Sequence, residues 1–270
     1  MKKWVVRNKS VGQTPLQVVE LYRKEAGLSA DTPLAYAGRL DPMADGTMLI
    51  LIGEECKRQE RYHHLDKAYR FQILFGFESD TMDVLGLADA APRHPHPTEE
   101  EVKKTLAPFI GNNEFPYPLF SSKTVRGKPL HTWTLEKRLD EIEIPTKHST
   151  IYALRLCGLS TKPYETLTQE LFEKINSIPP VTAPRKALGK DFRREAVRAR
   201  WRALLDASPK EAYSIATVYC EASSGTYMRT LAQEIARRLG TGGLAYAITR
   251  TKIGKRFPLS GVGFWYRTYH

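Results

Sequence analysis

The sequence predicts an α+β fold. Stretches with strand-like alternation and stretches with helical periodicity both occur, but they follow one another without the regular strand–helix–strand rhythm of a doubly wound sheet. A length of 270 residues allows one large domain or two small ones and is ample to bury a core. Hydrophobic residues make up 41% and charged residues 26%, the balance of a folded chain rather than a disordered one.

From the N-terminus, Thr14-Pro15-Leu16-Gln17 reads as a capping box with proline at the first helical position. Leu16, Val18, Val19, Leu21 and Tyr22 then form an apolar face, and Gly27 supplies a stop. The run Met48-Leu49-Ile50-Leu51-Ile52, within Thr47 to Gly53, fits a buried strand. Tyr69, Phe71, Ile73, Phe75 and Phe77 alternate with Arg70, Gln72 and Gly76, which predicts a half-buried strand over 69–77. A Pro/His-rich loop, Ala91 to Pro97, leads into a second capped helix at Thr98-Glu99-Glu100-Glu101. Strands are expected at His148–Leu156 and Ser214–Ala222, and helices at Thr166–Ile178 and Thr226–Leu239. In the last of these, Met228, Leu231, Ile235 and Leu239 share a face and Gly240 follows.

Several function classes are disfavoured. No apolar run approaches the roughly 18 residues that cross a bilayer, and the start MKKWVVRNKS lacks a signal-peptide apolar stretch, so a cytoplasmic protein is expected. Cys56, Cys157 and Cys220 are far apart and odd in number, unsuited to a disulfide framework or a close-spaced zinc motif. His63-His64 and His94-Pro95-His96 lack a Cys or carboxylate framework and read as surface residues, and no metal is expected. The glycine-rich stretches match neither a P-loop nor a dinucleotide fingerprint. No repeat or interdomain linker interrupts the chain, so residues 1–270 are expected to form a single domain. Lys plus Arg number 41 against 30 acids, a net +11, which suits phosphate binding without proving it.

The densest constellation is Ala37-Gly38-Arg39-Leu40-Asp41-Pro42-Met43-Ala44-Asp45-Gly46, a turn-rich stretch entering the buried strand. Pro42 biases Asp41 toward extended geometry, which would hold its carboxylate at a sheet's lip. From spacing alone, a backbone-capping turn explains Asp41 as well as a reactive carboxylate does. Gly38 to Gly46, with the strand and Gly53 behind it, resembles the catalytic motif of the TruB-type tRNA pseudouridine synthases. Asn8-Lys9 and Gly12-Gln13-Thr14 are similar to that family's N-terminal motif, and Lys67-Ala68-Tyr69-Arg70 to its K-x-Y strand. Ser224-Gly225-Thr226-Tyr227-Met228-Arg229-Thr230-Leu231, Gly240 to Gly243 and Arg250-Thr251-Lys252-Ile253-Gly254 are similar to its C-terminal half, so the likeness covers nearly the whole chain.

The resemblance implies the pseudouridine-synthase fold, a mixed and largely antiparallel central sheet flanked by helices with an RNA-binding cleft. It implies isomerisation of a tRNA uridine, position 55 in the T-loop, with no cofactor and no obligate protein partner. Asp41 matches the catalytic aspartate, Tyr69 the tyrosine stacked on the base, and Arg229 the arginine paired with the aspartate. Tyr227 and Ile248 match positions lining the uracil pocket, and Lys123 falls near a substrate-contact segment. Read without the family, Tyr69 is equally a strand-core aromatic and Lys123 a solvated lysine. Arg185-Lys186, Lys190, Arg193-Arg194, Arg198, Arg200 and Arg202, with Trp201 among them, fit either a solvated basic helix or an RNA-backbone surface. Arg193, Arg194 and Arg198 are the backbone contacts expected from it.

The chain departs from the family at Tyr36, where a histidine is usual, and at His131, where a tyrosine is usual. Arg39 gives an Arg-Leu-Asp sequence more like the RluA and RsuA families. The chain ends soon after Phe264-Trp265-Tyr266, and no C-terminal PUA domain is expected. A uridine of ribosomal RNA, another tRNA position, or a non-catalytic RNA-binding chaperone are the alternatives.

Overall fold

Helix starts and strand patterning behave as the local chemistry dictates. The computed structural model describes residues 2–91, 96–180, 193–207, 212–257 and 263–269. In chain order the strands and helices are β1 (Trp4–Lys9), α1 (Pro15–Glu25), β2 (Leu34–Ala37), β3 (Ala44–Ile52), α2 (Glu60–His63), β4 (Asp66–Phe75), β5 (Phe77–Ser79), β6 (Ala88–Ala90), α3 (Glu99–Leu106), β7 (Gly111–Pro116), β8 (Thr124–Val125) and β9 (Lys128–Pro129). There follow α4 (Leu130–Leu135), β10 (Thr146–Pro163), α5 (Tyr164–Ser177), α6 (Arg194–Ala207), β11 (Ala212–Ala222), α7 (Met228–Arg238), β12 (Gly243–Phe257) and β13 (Phe264–Thr268).

Among the described residues nine strands form one sheet in the order β1-β3-β12-β4-β11-β10-β7, with β2 added to β3 and β13 to β12. Every pairing in it is antiparallel except the short parallel contact of β3 with β12, Ala44–Gly46 against Ile248–Arg250. The α+β expectation and the mixed, largely antiparallel sheet therefore hold. The main core lies between the sheet and α3, α5, α6 and α7.

The apolar run in β3 has no alternation because both its faces are covered. Met48, Ile50 and Ile52 pack on Val18, Val19 and Tyr22 of α1, while Leu49 and Leu51 pack with Tyr62, Leu65 and Ile253. Each such fully buried side chain contributes roughly 1.5–3 kcal/mol. Both capping boxes form: Thr14 accepts from the Gln17 amide and Thr98 from the Glu101 amide, each answered by the reciprocal side-chain bond.

Four local expectations need correction. Leu16 and Leu21 are 55% and 45% exposed, because only Val18, Val19 and Tyr22 of α1 face the sheet. The strand predicted over 69–77 starts at Asp66 and ends at Phe75; Gly76, with φ +90°, turns the chain so that Phe77 pairs instead with β6. The helix expected from Thr226 starts at Met228, since the Thr226 hydroxyl donates to the Ser223 carbonyl rather than capping. The strand expected at 148–156 runs on to Pro163, carried across irregularities at residues 151–153 and 156–158.

Candidate active site

The loop between β2 and β3 is held by two buried cations. Lys9, at the end of β1, donates through Nζ to the carbonyls of Ala44 at 2.5 Å and Ser10 at 3.1 Å. Burial lowers its pKa to about 8, against the opposing pull of Asp41 and Asp45. From β12, Arg250 donates to the carbonyls of Thr47 at 2.7 Å, Arg39 at 3.2 Å and Gly38 at 3.4 Å. Burial lowers the Arg250 pKa, and a hydrogen bond to the Tyr69 phenol works against that. These donors satisfy carbonyls that a tight turn would otherwise leave unpaired. The close approach requires glycine at 46, where φ is +103° and a Cβ would lie 2.3 Å from the Arg250 carbonyl oxygen.

The loop presents Asp41 to the start of α7. Arg229 Nε donates to Asp41 Oδ2 at 2.7 Å, and its Nη1 donates to the Thr81 carbonyl at 2.7 Å. A second carboxylate, Asp83 Oδ2, stands 3.7 Å from Arg229 Nε. Asp83 is buried and accepts from the Thr81 hydroxyl at 2.6 Å and the Leu85 amide at 2.9 Å. Burial pushes the Asp83 pKa up to about 6 despite Arg229 beside it. Burial also opposes the charge on Arg229, but Asp41 and Asp83 outweigh it and its pKa is raised. The Arg229 side chain is 4% exposed while that of Asp41 is 37% exposed. A fixed buried cation thus backs a carboxylate that reaches solvent, an arrangement suited to stabilising charge as it develops.

That carboxylate opens into a cleft of about 960 Å³. Asp41, Tyr69 and Arg229 line it together with Tyr227, Ile248, Arg39 and Tyr36. Burial raises the pKa of the Tyr69 phenol, keeping it neutral, and does the same for Tyr227. Ile248 is held on β12 by the parallel contact with Ala44. Apolar and aromatic side chains thus line the cleft together with the charged groups of Arg39, Asp41, Lys67, Asp83, Arg229 and Arg250.

Other expected residues lie around this centre. Lys123 is absent from the cleft wall and sits over the Tyr117 ring at 5.2 Å, while Tyr117 meets Tyr227 edge-on at 5.7 Å. Arg193 and Arg194 line the cleft's rim; Arg193 pairs with Asp80 at 2.5 Å and lies over the Phe120 ring at 4.5 Å. Arg198 is set back from the cleft, donating to Asn176 Oδ1 at 2.9 Å and pairing with Glu195. Arg200 binds the Ala88 carbonyl at 2.8 Å and pairs with Asp89, and Trp201 is fully buried. Arg185, Lys186, Lys190 and His94 lie outside the described residues.

Sequence reasoning missed Asp83 altogether and assigned no role to Lys9, Lys67 or Arg250. Lys67 is buried on β4 and donates to the Leu65 carbonyl at 2.5 Å and the Ser224 hydroxyl at 3.0 Å. Burial drops its pKa to about 7. Asp83 is one of three acids between Phe77 and Val84, with Glu78 and Asp80, and nothing in that spacing singles it out.

Comparison with known proteins adds a family likeness. The family described as TruB family pseudouridylate synthase (N terminal domain) matches residues 29–173, a little over half of the chain. The chain is 34% identical over 148 residues to a tRNA pseudouridine synthase B of Caldanaerobacter subterraneus subsp. tengcongensis, covering 55% of this chain and 50% of that protein. It is 28% identical over 247 residues to a tRNA pseudouridine synthase B of Caldicellulosiruptor saccharolyticus, covering 92% and 66%. The chain thus spans about half to two thirds of the length of these relatives. Among solved structures, a chain of a Cbf5-Nop10-Gar1 complex shares the fold with a TM-score of 0.54 at 14% identity, over 93% of this chain and 48% of that one.

Proposed function

The chain belongs to the TruB family of pseudouridylate synthases, and from that membership we propose that it isomerises a uridine in tRNA, at position 55 of the T-loop. The observation that carries the reading is the Asp41–Arg229 pair, 2.7 Å apart in the cleft. Uracil C5 is inaccessible inside a folded RNA, so the nucleotide is turned out of its stack into that cleft. Tyr69 stacks on the base, and Tyr227 and Ile248 wall it. Asp41 acts at the ribose, as nucleophile or as base, while N1–C1′ breaks; Arg229, donating to it at 2.7 Å, orients its carboxylate. The freed uracil rotates and forms C5–C1′, losing the C5 hydrogen as a proton while N1 takes one up. The balance is redox-neutral and intramolecular, so the reaction calls for no nucleotide or flavin. It takes place in the cytoplasm, with tRNA as partner.

RNA recognition is expected to centre on the T-arm. Proteins read loops whose bases splay and stack, and Tyr36 at the cleft wall suits a displaced loop base. Arg39, at the same wall, favours a second reading, a uridine of ribosomal RNA or of another tRNA position, because Arg-Leu-Asp is the pattern of the RluA and RsuA families. The test is tritium release from C5-labelled full-length tRNA, a T-arm hairpin and a ribosomal hairpin. Full-length tRNA and the T-arm hairpin should react at similar single-turnover rates. Asp41→Asn should abolish release while leaving RNA affinity within a few-fold, and Arg229→Ala should remove most of it. Turnover by Asp41→Asn refutes the mechanism; reaction of the ribosomal hairpin alone moves the substrate to the second reading.

A further inference from the structure

Beside the cleft lies a second basin of about 480 Å³, whose lining includes His64, Lys147, Tyr152, Lys255 and Tyr266. Only a thin ridge separates the two. Ser224 lines both spaces, and its hydroxyl bridges Lys67 Nζ and the His63 carbonyl. His63 lines the cleft and His64 the basin. The Lys147 stem lies against Gly225 on the ridge, so closely that a Cβ at 225 would sit 2.8 Å from Lys147 Cε. An RNA strand with one nucleotide turned into the cleft therefore lays its neighbour across this ridge.

The basin's charge is unbalanced in favour of cations. Among the described residues no carboxylate forms an ion pair with Lys147 or Lys255. The basin's lining carries one carboxylate, Asp66, against Lys147, Lys255 and Arg256, and it accepts from the Tyr152 hydroxyl at 3.1 Å and the Arg256 amide at 2.9 Å. Glu221 takes Arg256 Nε at 2.7 Å, Trp265 Nε1 at 2.9 Å and the Tyr219 hydroxyl at 2.8 Å. Aromatic surface accompanies the lysines. Tyr266 is 58% exposed, and Phe257 and Phe264, each 50% exposed, meet one another at 5.9 Å. Uncompensated cations beside exposed rings are the pairing that holds single-stranded nucleic acid, phosphate on the first and base on the second.

Building on the proposed reading of the cleft, we infer that this basin is an accessory RNA subsite for the nucleotide next to the one turned out. Lys147 and Lys255 hold its phosphodiester, and Tyr266 stacks on its base. The site gives the enzyme a grip on a splayed strand rather than on a duplex.

The experiment compares wild type, Lys147→Gln with Lys255→Gln, the matching pair of Lys→Arg changes, and Tyr266→Ala on an unmodified tRNA transcript. Affinity is measured across a salt series and the single-turnover rate at saturating RNA, with circular dichroism to check the fold. Removing the cations that hold this one phosphodiester should lower the log–log salt slope by about 0.7–0.9, and the arginine pair should restore it. Tyr266→Ala should weaken binding roughly fivefold or more with the slope unchanged. The saturating rate should stay at the wild-type value throughout. A glutamine pair that matches wild type in affinity and slope overturns the inference, as does a lowered saturating rate with unchanged affinity. A wild type that binds tRNA but forms no pseudouridine refutes the proposed function, and the binding series still judges the basin. Absence of tRNA binding refutes both.

Discussion

Asp83 lines the cleft beside Arg229, and its burial makes the site sensitive to acid. With its pKa pushed up to about 6, Asp83 loses its charge just below neutrality, and Arg229 then keeps Asp41 and the Thr81 carbonyl but not its second carboxylate. The single-turnover rate should fall as pH drops through about 6. Asp83→Asn should slow the reaction roughly 10- to 100-fold, the scale of a small misplacement of a reacting group, and should flatten that acid limb. A variant that keeps the limb would assign it to another group. Asp41, Tyr69 and Arg229 were legible because each lies inside a contiguous motif. Asp83 was not, since its relation to Arg229 exists only through the fold. Lys9, Lys67 and Arg250 lay within recognised stretches, yet their work is to donate to carbonyls of loops that the fold brings to them. No local pattern encodes such partners.

Helix α6 shows how one element divides its labour. Val197, Trp201 and Leu205 face the core, with Trp201 Nε1 donating to the Val84 carbonyl at 3.0 Å and so steadying the segment that carries Asp83. Its basic residues do not act alike. Replacing Arg194, which lines the cleft, with Gln should weaken RNA binding and lower the salt slope by about 0.7–0.9 for a phosphate no longer neutralised; Arg193, just ahead of the helix, is already paired with Asp80. Arg198→Gln should leave the slope unchanged, because its guanidinium is engaged by Glu195 and Asn176. An equal effect from Arg198→Gln would extend the RNA surface around the helix. At this scale the sequence was most legible where chemistry is local, as in the two capping boxes and the apolar run of β3. It was least legible where tertiary packing decides: Gly76 ends β4 because Phe77 finds β6, and Leu16 stays exposed because the sheet meets only one side of α1.

Among the described residues, folding lowers the pKa of Lys9, Lys67 and Lys174, the first two far enough to matter near neutral pH. Burial lowers Lys9 to about 8 and Lys67 to about 7, whereas the unfolded chain holds these protons to about 10.5. Between pH 7 and 9 the unfolded state therefore binds more protons, and stability rises with pH. The urea midpoint should increase over that window, and Lys67→Met should show a smaller increase; an equal increase would mean that Lys67 keeps its proton when folded. A different consequence follows from the parallel contact of β3 with β12. A ribosome adding about 5–20 residues per second delivers Ala44 some 10–40 s before Ile248. Throughout that interval β1 and β2 already have their partner in β3, and within β3 the stretch Ala44–Gly46 waits for a strand not yet made. A waiting edge invites foreign strands when it is long, flat and apolar. This one is three residues long, carries a charge at Asp45 and bends at Gly46 with φ +103°. The stretch that later anchors the loop bearing Asp41 is, in the nascent chain, a blunt end that other chains cannot readily extend.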